Sequence, residues 1–339
     1  MTTVEGLDPV LRARWANAFV EAGASQCGFC TPGILMRLAA LSAKPGKSDA
    51  GSVRTALLAH LCRCTGWQSI VEGALDALGP ETPRTGFATR DPLLASWRAQ
   101  IEGPAFQTSG TQVVLGDGGF ASDTAPSGVL VAICDGGTAS VGGSTAAARR
   151  GLPKVQGRRS GVPLRHPVEI PEGEWALTLQ TTWVEPAYLE PDASWCVPDG
   201  PPAWQLANGG AFGGKRRSPV ATTARELADA HRRPVLALWS REEVVRSGPK
   251  RPPVAIGVRA DGSGVIRVAR PDGSPSLDAL RGAVAAAAPR LEVAECSVPG
   301  PPVAPELRAA GWAEAAAVLA ALTVCQGGAT GYRCPVEVT

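Results

Sequence analysis

The chain has almost no excess charge of either sign: 33 lysines and arginines stand against 31 aspartates and glutamates in 339 residues, a net of +2. That balance supplies no basic face for nucleic acid and no pull toward an anionic membrane. Long apolar runs are also missing. The stretches there are, such as Ala283 to Ala288, fall far short of the ~20 residues that span a bilayer. No basic region followed by an apolar core opens the chain at Met1 to Glu5, so no secretory signal is expected and the default reading is a cytoplasmic protein. No internal repeat is visible. Proline is sparse before residue 79 and dense after it. The first part therefore reads as compact and helical, and the remainder as turn-rich with short strands.

Against these absences stand nine cysteines. An odd number without a secretory signal argues against a disulfide framework. Four of them crowd into two tight pairs, Cys27-Gly28-Phe29-Cys30 and Cys62-Arg63-Cys64, and the others are scattered. Helix signals surround the pairs. Asp8 caps and Pro9 starts a first helix bearing Leu11, Trp15, Phe19 and Ala22 at helical spacing. Thr31-Pro32 starts a second with Leu35, Leu38 and Ala39, and Ser48 or Asp49 caps a third with Val53, Leu57 and Leu61. A fourth, starting near Thr65-Gly66, carries Ile70, Val71, Ala74, Leu75 and Leu78. Short loops between such helices predict a small bundle. Each cysteine pair then stands at the N-terminal edge of a helix, where free N–H groups and the positive dipole end favour an anionic thiolate cluster. Gly28 permits a close backbone approach, and Pro32 sets the turn out of the loop. Structural zinc competes for a CxxC pair, although CxC holds two sulfurs too close in sequence for the usual zinc geometry. Buried, unliganded cysteines are the bland alternative, and four of them in two tight pairs argue against it.

Beyond a linker opened by Gly79-Pro80-Glu81-Thr82-Pro83, the pattern is mixed. Strands are expected over Thr111 to Leu115, Val129 to Cys134, Trp175 to Trp183 and Pro234 to Trp239. A hairpin joins Val254 to Val258 with Gly264 to Arg270 through Asp261-Gly262. Helices are expected over Ser144 to Gly151, Ser218 to Ala230, Leu277 to Ala287 and Ala304 to Leu322. The fold class is α+β: residues 1–79 a helical domain, 80–104 a linker, then 105–165 and 166–339 as mixed α/β regions. Asn208-Gly209-Gly210-Ala211-Phe212-Gly213-Gly214-Lys215 is a glycine-rich loop before a helix, which alone signals no more than a tight turn or a phosphate nest.

Together these strings resemble the molybdenum hydroxylases, the xanthine dehydrogenase/aldehyde oxidase family. Gln26-Cys27-Gly28-Phe29-Cys30-Thr31-Pro32-Gly33 with Leu61-Cys62-Arg63-Cys64-Thr65-Gly66 is similar to the signature of that family's second iron–sulfur domain, and the likeness covers most of residues 2–78. His60 and Trp67 depart from it mildly, where Asn and Tyr are common. The resemblance implies a four-helix [2Fe–2S] bundle with Cys27, Cys30, Cys62 and Cys64 as ligands, Gln26 touching a pterin and Cys64 near the pterin's amino group. Residues 105–165 faintly resemble the family's hammerhead domain. Residues 166–339 resemble a truncated molybdopterin-binding domain, through Leu189-Glu190-Pro191 (with Asp192 where His is usual), the glycine loop, Pro249 to Pro252, and Gly300 to Gly311. By that likeness Gly210, Phe212, Gly213 and Arg308 would contact the molybdenum cofactor.

The resemblance implies an iron–sulfur electron-transfer and partial cofactor-scaffold subunit of a molybdenum hydroxylase-like oxidoreductase acting on aldehydes, xanthine or N-heterocycles. The loop that carries the family's catalytic glutamate is not in this sequence, so no catalytic residue is assigned. Its expected partners are a ferredoxin-like or flavin subunit and a molybdopterin-binding subunit, with which molybdenum–molybdopterin would be shared; neither nucleic acid nor membrane is expected. The alternative is a non-catalytic [2Fe–2S] electron-transfer or assembly protein whose molybdopterin half is degenerate. A third reading is an eroded chain that folds only in its first eighty residues.

Overall fold

A computed structural model describes residues 2–79, 110–135, 137–153, 166–203, 210–216 and 218–305, with Leu307 and Gly311. Arg308, the linker expected over 80–104 and most of the expected helix over 304–322 lie outside the described residues. The chain divides into two compact units, Met1–Pro153 with Ala187–Val244, and Lys154–Pro186 with Val245–Thr339.

The first unit begins with four α-helices: α1 (Pro9–Ala22), α2 (Thr31–Ser42), α3 (Ala50–Ala56) and α4 (Gln68–Leu78). The Asp8 side chain accepts from the N–H groups of Val10 and Leu11, satisfying two donors the helix cannot pair itself. Gly23 ends α1 in the left-handed conformation, with its N–H on the Phe19 and Val20 carbonyls. Asp49 caps α3. Trp15, Phe19, Ile34, Leu35, Leu38, Val53, Ile70 and Val71 form the shared core. Two boundaries differ from expectation. Helix α3 stops before Leu61, which is exposed, and α4 starts two residues beyond Gly66 because Gly66 and Trp67 both take positive φ, 68° and 72°. Consecutive left-handed residues cannot belong to a right-handed helix.

A third difference concerns Thr111 to Leu115. The strand expected there is a single helical turn, α5 (Thr111–Val114), followed by a second short helix, α6 (Ala121–Thr124). Val113 and Val114 are both buried, and Val114 joins the helical core. Burial there outweighs the β-preference of branched side chains.

A four-stranded sheet completes the first unit in the order β2 (Thr138–Gly142), β1 (Leu130–Asp135), β5 (Val235–Trp239), β4 (Ala193–Cys196). Strands β1 and β5 run parallel, and the other pairings are antiparallel. Helix α7 (Thr145–Arg150) is capped by Ser144, and α8 (Val220–His231) places Ala224 and Ala228 in one core with Ala132, Val235 and Ala237. Helix α9 (Arg241–Ser247) follows β5.

The second unit holds a sheet in the order β3 (Leu177–Gln180), β6 (Val254–Val258), β7 (Gly264–Arg270), β8 (Leu291–Ser297), with α10 (Asp278–Ala287) between the last two. The expected hairpin is present, pairing Val254 with Val268 through to Val258 with Gly264. Among the described residues no helix is long and apolar enough to cross a membrane.

Candidate iron–sulfur site

Two loops bring the four clustered cysteines together. The first runs from the end of α1 into α2, with Cys27 buried and Cys30 as the N-cap residue of the helix. Cys30 is followed at once by the helix N-terminus, and its carbonyl accepts from the Ile34 N–H. The second loop carries Cys62 and Cys64 between α3 and α4. Cys64 donates a hydrogen bond to the Cys27 sulfur at 3.5 Å, and the Cys62 sulfur lies 3.2 Å from the Thr65 hydroxyl.

The proton affinities of the four thiols alternate. A hydrogen bond from Cys64 holds Cys27 below the ordinary thiol range, and bonds from Cys30 and Cys64 do the same for Cys62. Cys30 is raised by the bond it makes to Cys62 and by burial, and Cys64 by its bonds to Cys27 and Cys62 and by burial. The contacts thus join Cys27 to Cys64 and Cys30 to Cys62, each across the two loops, and Cys62 to Cys64 within the second. Among the described residues no three His, Cys, Asp or Glu side chains are grouped as ligands of a single ion would be. A two-iron cluster held by four thiolates, two to each iron, fits this donor set.

The walls of the site come from further along the first unit. Gly28 has φ +80°, and a Cβ placed on it would lie 2.4 Å from the Val113 carbonyl oxygen. The close approach that Gly28 permits is therefore made by α5. A Cβ on Gly118 would come within 2.7 Å of the Cys27 carbonyl oxygen. Phe120 packs against Cys27 and Cys64, and meets the Phe29 ring edge-on at 5.5 Å. The glycine loop is here too. Gly210 has φ +76°, and a Cβ on it would stand 3.4 Å from the Cys64 sulfur. The Arg63 guanidinium lies 5.1 Å from the centre of the Phe212 ring. At the end of the loop, buried Lys215 pairs with buried Glu190 at 3.0 Å, and its ammonium lies 4.6 Å over the Tyr188 ring. Burial pushes the Glu190 carboxyl up to about 7 against the pull of Lys215, and the charge of Glu190 is felt at Cys27.

The structure thus brings together Cys27, Cys30, Cys62 and Cys64, and sets Gly210, Phe212 and Gly213 in the adjoining loop. Gln26 is exposed beside buried Cys27. Sequence reasoning did not single out Val113, Phe120, Arg63 or the Glu190–Lys215 pair as parts of this site. Arg63 and the pair stand inside the strings that carried the resemblance, so a signal existed. Nothing in the local sequence marks Val113 or Phe120, since their role arises from contacts distant in the chain.

Four thiols displayed on two loops of a small helical domain suit an iron–sulfur protein, and comparison specifies which kind. The family of [2Fe-2S] binding domains matches residues 3–75. The xanthine dehydrogenase iron–sulfur-binding subunit of Escherichia coli O157:H7 is 48% identical over 62 residues, 18% of this chain and 39% of that protein. The nicotine 6-hydroxylase small subunit of Paenarthrobacter nicotinovorans is 44% identical over 77 residues, 23% of this chain and 47% of that protein. Among solved structures, the aldehyde oxidoreductase of Desulfovibrio gigas superposes with a TM-score of 0.55 at 17% identity, covering 88% of this chain and 50% of that one. Residues 3–75 thus match the family of [2Fe-2S] binding domains and are similar to iron–sulfur subunits of xanthine dehydrogenase-type enzymes, and the chain shares the fold of that aldehyde oxidoreductase over 88% of its length. It spans less than half the length of those two curated relatives and half that of the solved structure.

Proposed function

We propose that the chain is an electron-transfer subunit of an oxidoreductase of the molybdenum hydroxylase type, holding one [2Fe–2S] cluster on Cys27, Cys30, Cys62 and Cys64. The observation that carries this reading is the convergence of four thiols from two loops, paired across them as Cys27 with Cys64 and Cys30 with Cys62. When bound, the cluster supplies one-electron storage and transfer. The protein's own part is to hold and shield it. Cys27 and Cys64 would bind one iron and Cys30 and Cys62 the other. Cys30 precedes the N-terminus of α2, whose free N–H groups favour negative charge. The Thr65 hydroxyl is placed to donate to the Cys62 thiolate. Phe120 keeps water from Cys27 and Cys64. To act as thiolate ligands, Cys30 and Cys64 would give up the protons they otherwise retain.

The partners we propose are a ferredoxin-like or flavin subunit and a molybdopterin-binding subunit, in the cytoplasm. One observation supports an assembly of this kind: the relatives' names describe subunits.

Elemental analysis of the purified chain tests the cluster. Two irons and two acid-labile sulfides per chain are expected, and Cys62→Ser should lose them. One zinc per chain in place of iron would reject the reading.

A further inference from the structure

The resemblance puts two groups of residues on one molybdopterin: Gln26 and Cys64 from the helical domain, and Gly210, Phe212 and Gly213 from the glycine loop. A flat ligand lying between two walls keeps roughly 3.5–4 Å from each, so the walls must stand about 7 Å apart. Here they touch. A Cβ on Gly210 would lie 3.0 Å from the Arg63 Cβ, 3.1 Å from its Cγ and 3.4 Å from the Cys64 sulfur. The Gly210 Cα is one carbon–carbon bond further away, within about 5 Å of that sulfur. No ring system passes between them.

The contact is part of a built arrangement. Gly210 and Ala211 are buried, and Phe212 receives the Arg63 guanidinium over its ring, a favourable cation–π contact. The far end of the loop is pinned by the Lys215–Glu190 pair, whose side chains are 2% and 3% exposed. Removing either charge from such a pair strands the other in a dry environment, so the pair resists opening. Glycine at 210 is what allows the approach: its φ of +76° is unfavourable for other residues, and a side chain there would meet Arg63.

We infer that the glycine loop of this chain is a wall of the iron–sulfur site, and that it fills the face of Cys64 against which a molybdopterin would lie. The chain therefore carries its cluster without a molybdopterin of its own, and any molybdenum chemistry in its complex belongs to another chain. This rests on the cluster reading above, and the experiment separates the two.

The full chain, expressed in a host that makes molybdenum cofactor, is assayed for iron, molybdenum and oxidised pterin fluorescence. The expected result is iron at cluster stoichiometry with neither molybdenum nor pterin. One molybdenum per chain beside the iron would overturn this inference and leave the cluster reading intact; a chain without iron would remove both. Gly210→Ala tests the wall directly. Its added methyl should shift the electron paramagnetic resonance g-values of the reduced cluster and speed iron loss to a chelator severalfold. Gly282→Ala, where nothing lies within 4 Å, should change neither. A Gly210→Ala protein with the parent spectrum and iron-loss rate would also overturn the inference.

Discussion

The sulfurs of Cys27 and Cys64 lie 3.5 Å apart although 37 residues separate them in the chain. The hydrogen bonds of Cys27 and Cys30 run across the loops, to Cys64 and Cys62, while Cys62 and Cys64 also bond to each other within the second loop. This predicts that Cys27 and Cys64 share one iron, and Cys30 and Cys62 the other. Single Cys→Ser variants that still assemble a cluster should fall into two spectroscopic classes. Mössbauer spectra of the reduced protein should change at the same iron for Cys27→Ser and Cys64→Ser, and at the other iron for Cys30→Ser. Classes that follow the sequence pairs instead would reject the crossed arrangement.

Gly28 should tolerate no side chain. Alanine there must adopt a positive φ and also sit 2.4 Å from a backbone oxygen of α5, which cannot turn aside as a long side chain could. Together these should cost about 2 kcal/mol or more. Gly28→Ala is expected to lower the melting temperature and to lose iron during purification, whereas Gly46→Ala, whose surroundings are open, should keep its iron. Wild-type iron content in Gly28→Ala would show that α5 yields easily.

Phe120→Ala should open the cluster without unfolding the sheets. Its ring covers Cys27 and Cys64, and its removal admits water to the sulfurs. Solvent exposure moves the reduction potential, and oxygen or chelator should strip the cluster severalfold faster. Circular dichroism reports whether the fold survives; an unchanged potential in a folded Phe120→Ala protein would place the shield elsewhere.

The Glu190–Lys215 pair should make stability depend on pH in a definite direction. Burial raises the Glu190 carboxyl from its ordinary 4.5 to about 7, so the folded protein binds this proton more tightly than the unfolded one. The contribution is most favourable below pH 4.5 and is lost as pH rises through 7, by up to roughly 3 kcal/mol. Thermal unfolding of the wild type should therefore show a downward slope between pH 5 and 8 that is shallower in Glu190→Gln/Lys215→Met. Glu190→Gln alone deprives the buried ammonium of its carboxylate and should be the least stable of the three. Identical slopes in the wild type and the double variant would show that Glu190 titrates normally.

Much of the first domain could be read directly. Asp8-Pro9, Gly23, Thr31-Pro32 and Asp49 act through hydrogen bonds and dihedral limits only a few residues long, so their positions in sequence are enough to set helix ends. The two cysteine strings likewise carry their chemistry locally. The hairpin at Asp261-Gly262 and the strands at 130–135 and 235–239 were legible for the same reason. Other elements were not. Strands β2, β4 and β8 have weak alternation, and the sheets they join decide their conformation. Val113 and Val114 favour a strand locally and form a helical turn because the bundle core and the Gly28 loop receive them.

The same division runs through the site. The sequence by itself determined that four thiols would stand on two loops, the first of them at a helix start, because residue type and spacing govern that. Only the tertiary structure decided which thiol faces which, that Phe120 and α5 enclose them, and that Gly210 closes on Cys64. Those contacts join residues tens to more than a hundred positions apart. Their geometry depends on how helices, strands and loops pack together, and local sequence carries no record of that packing.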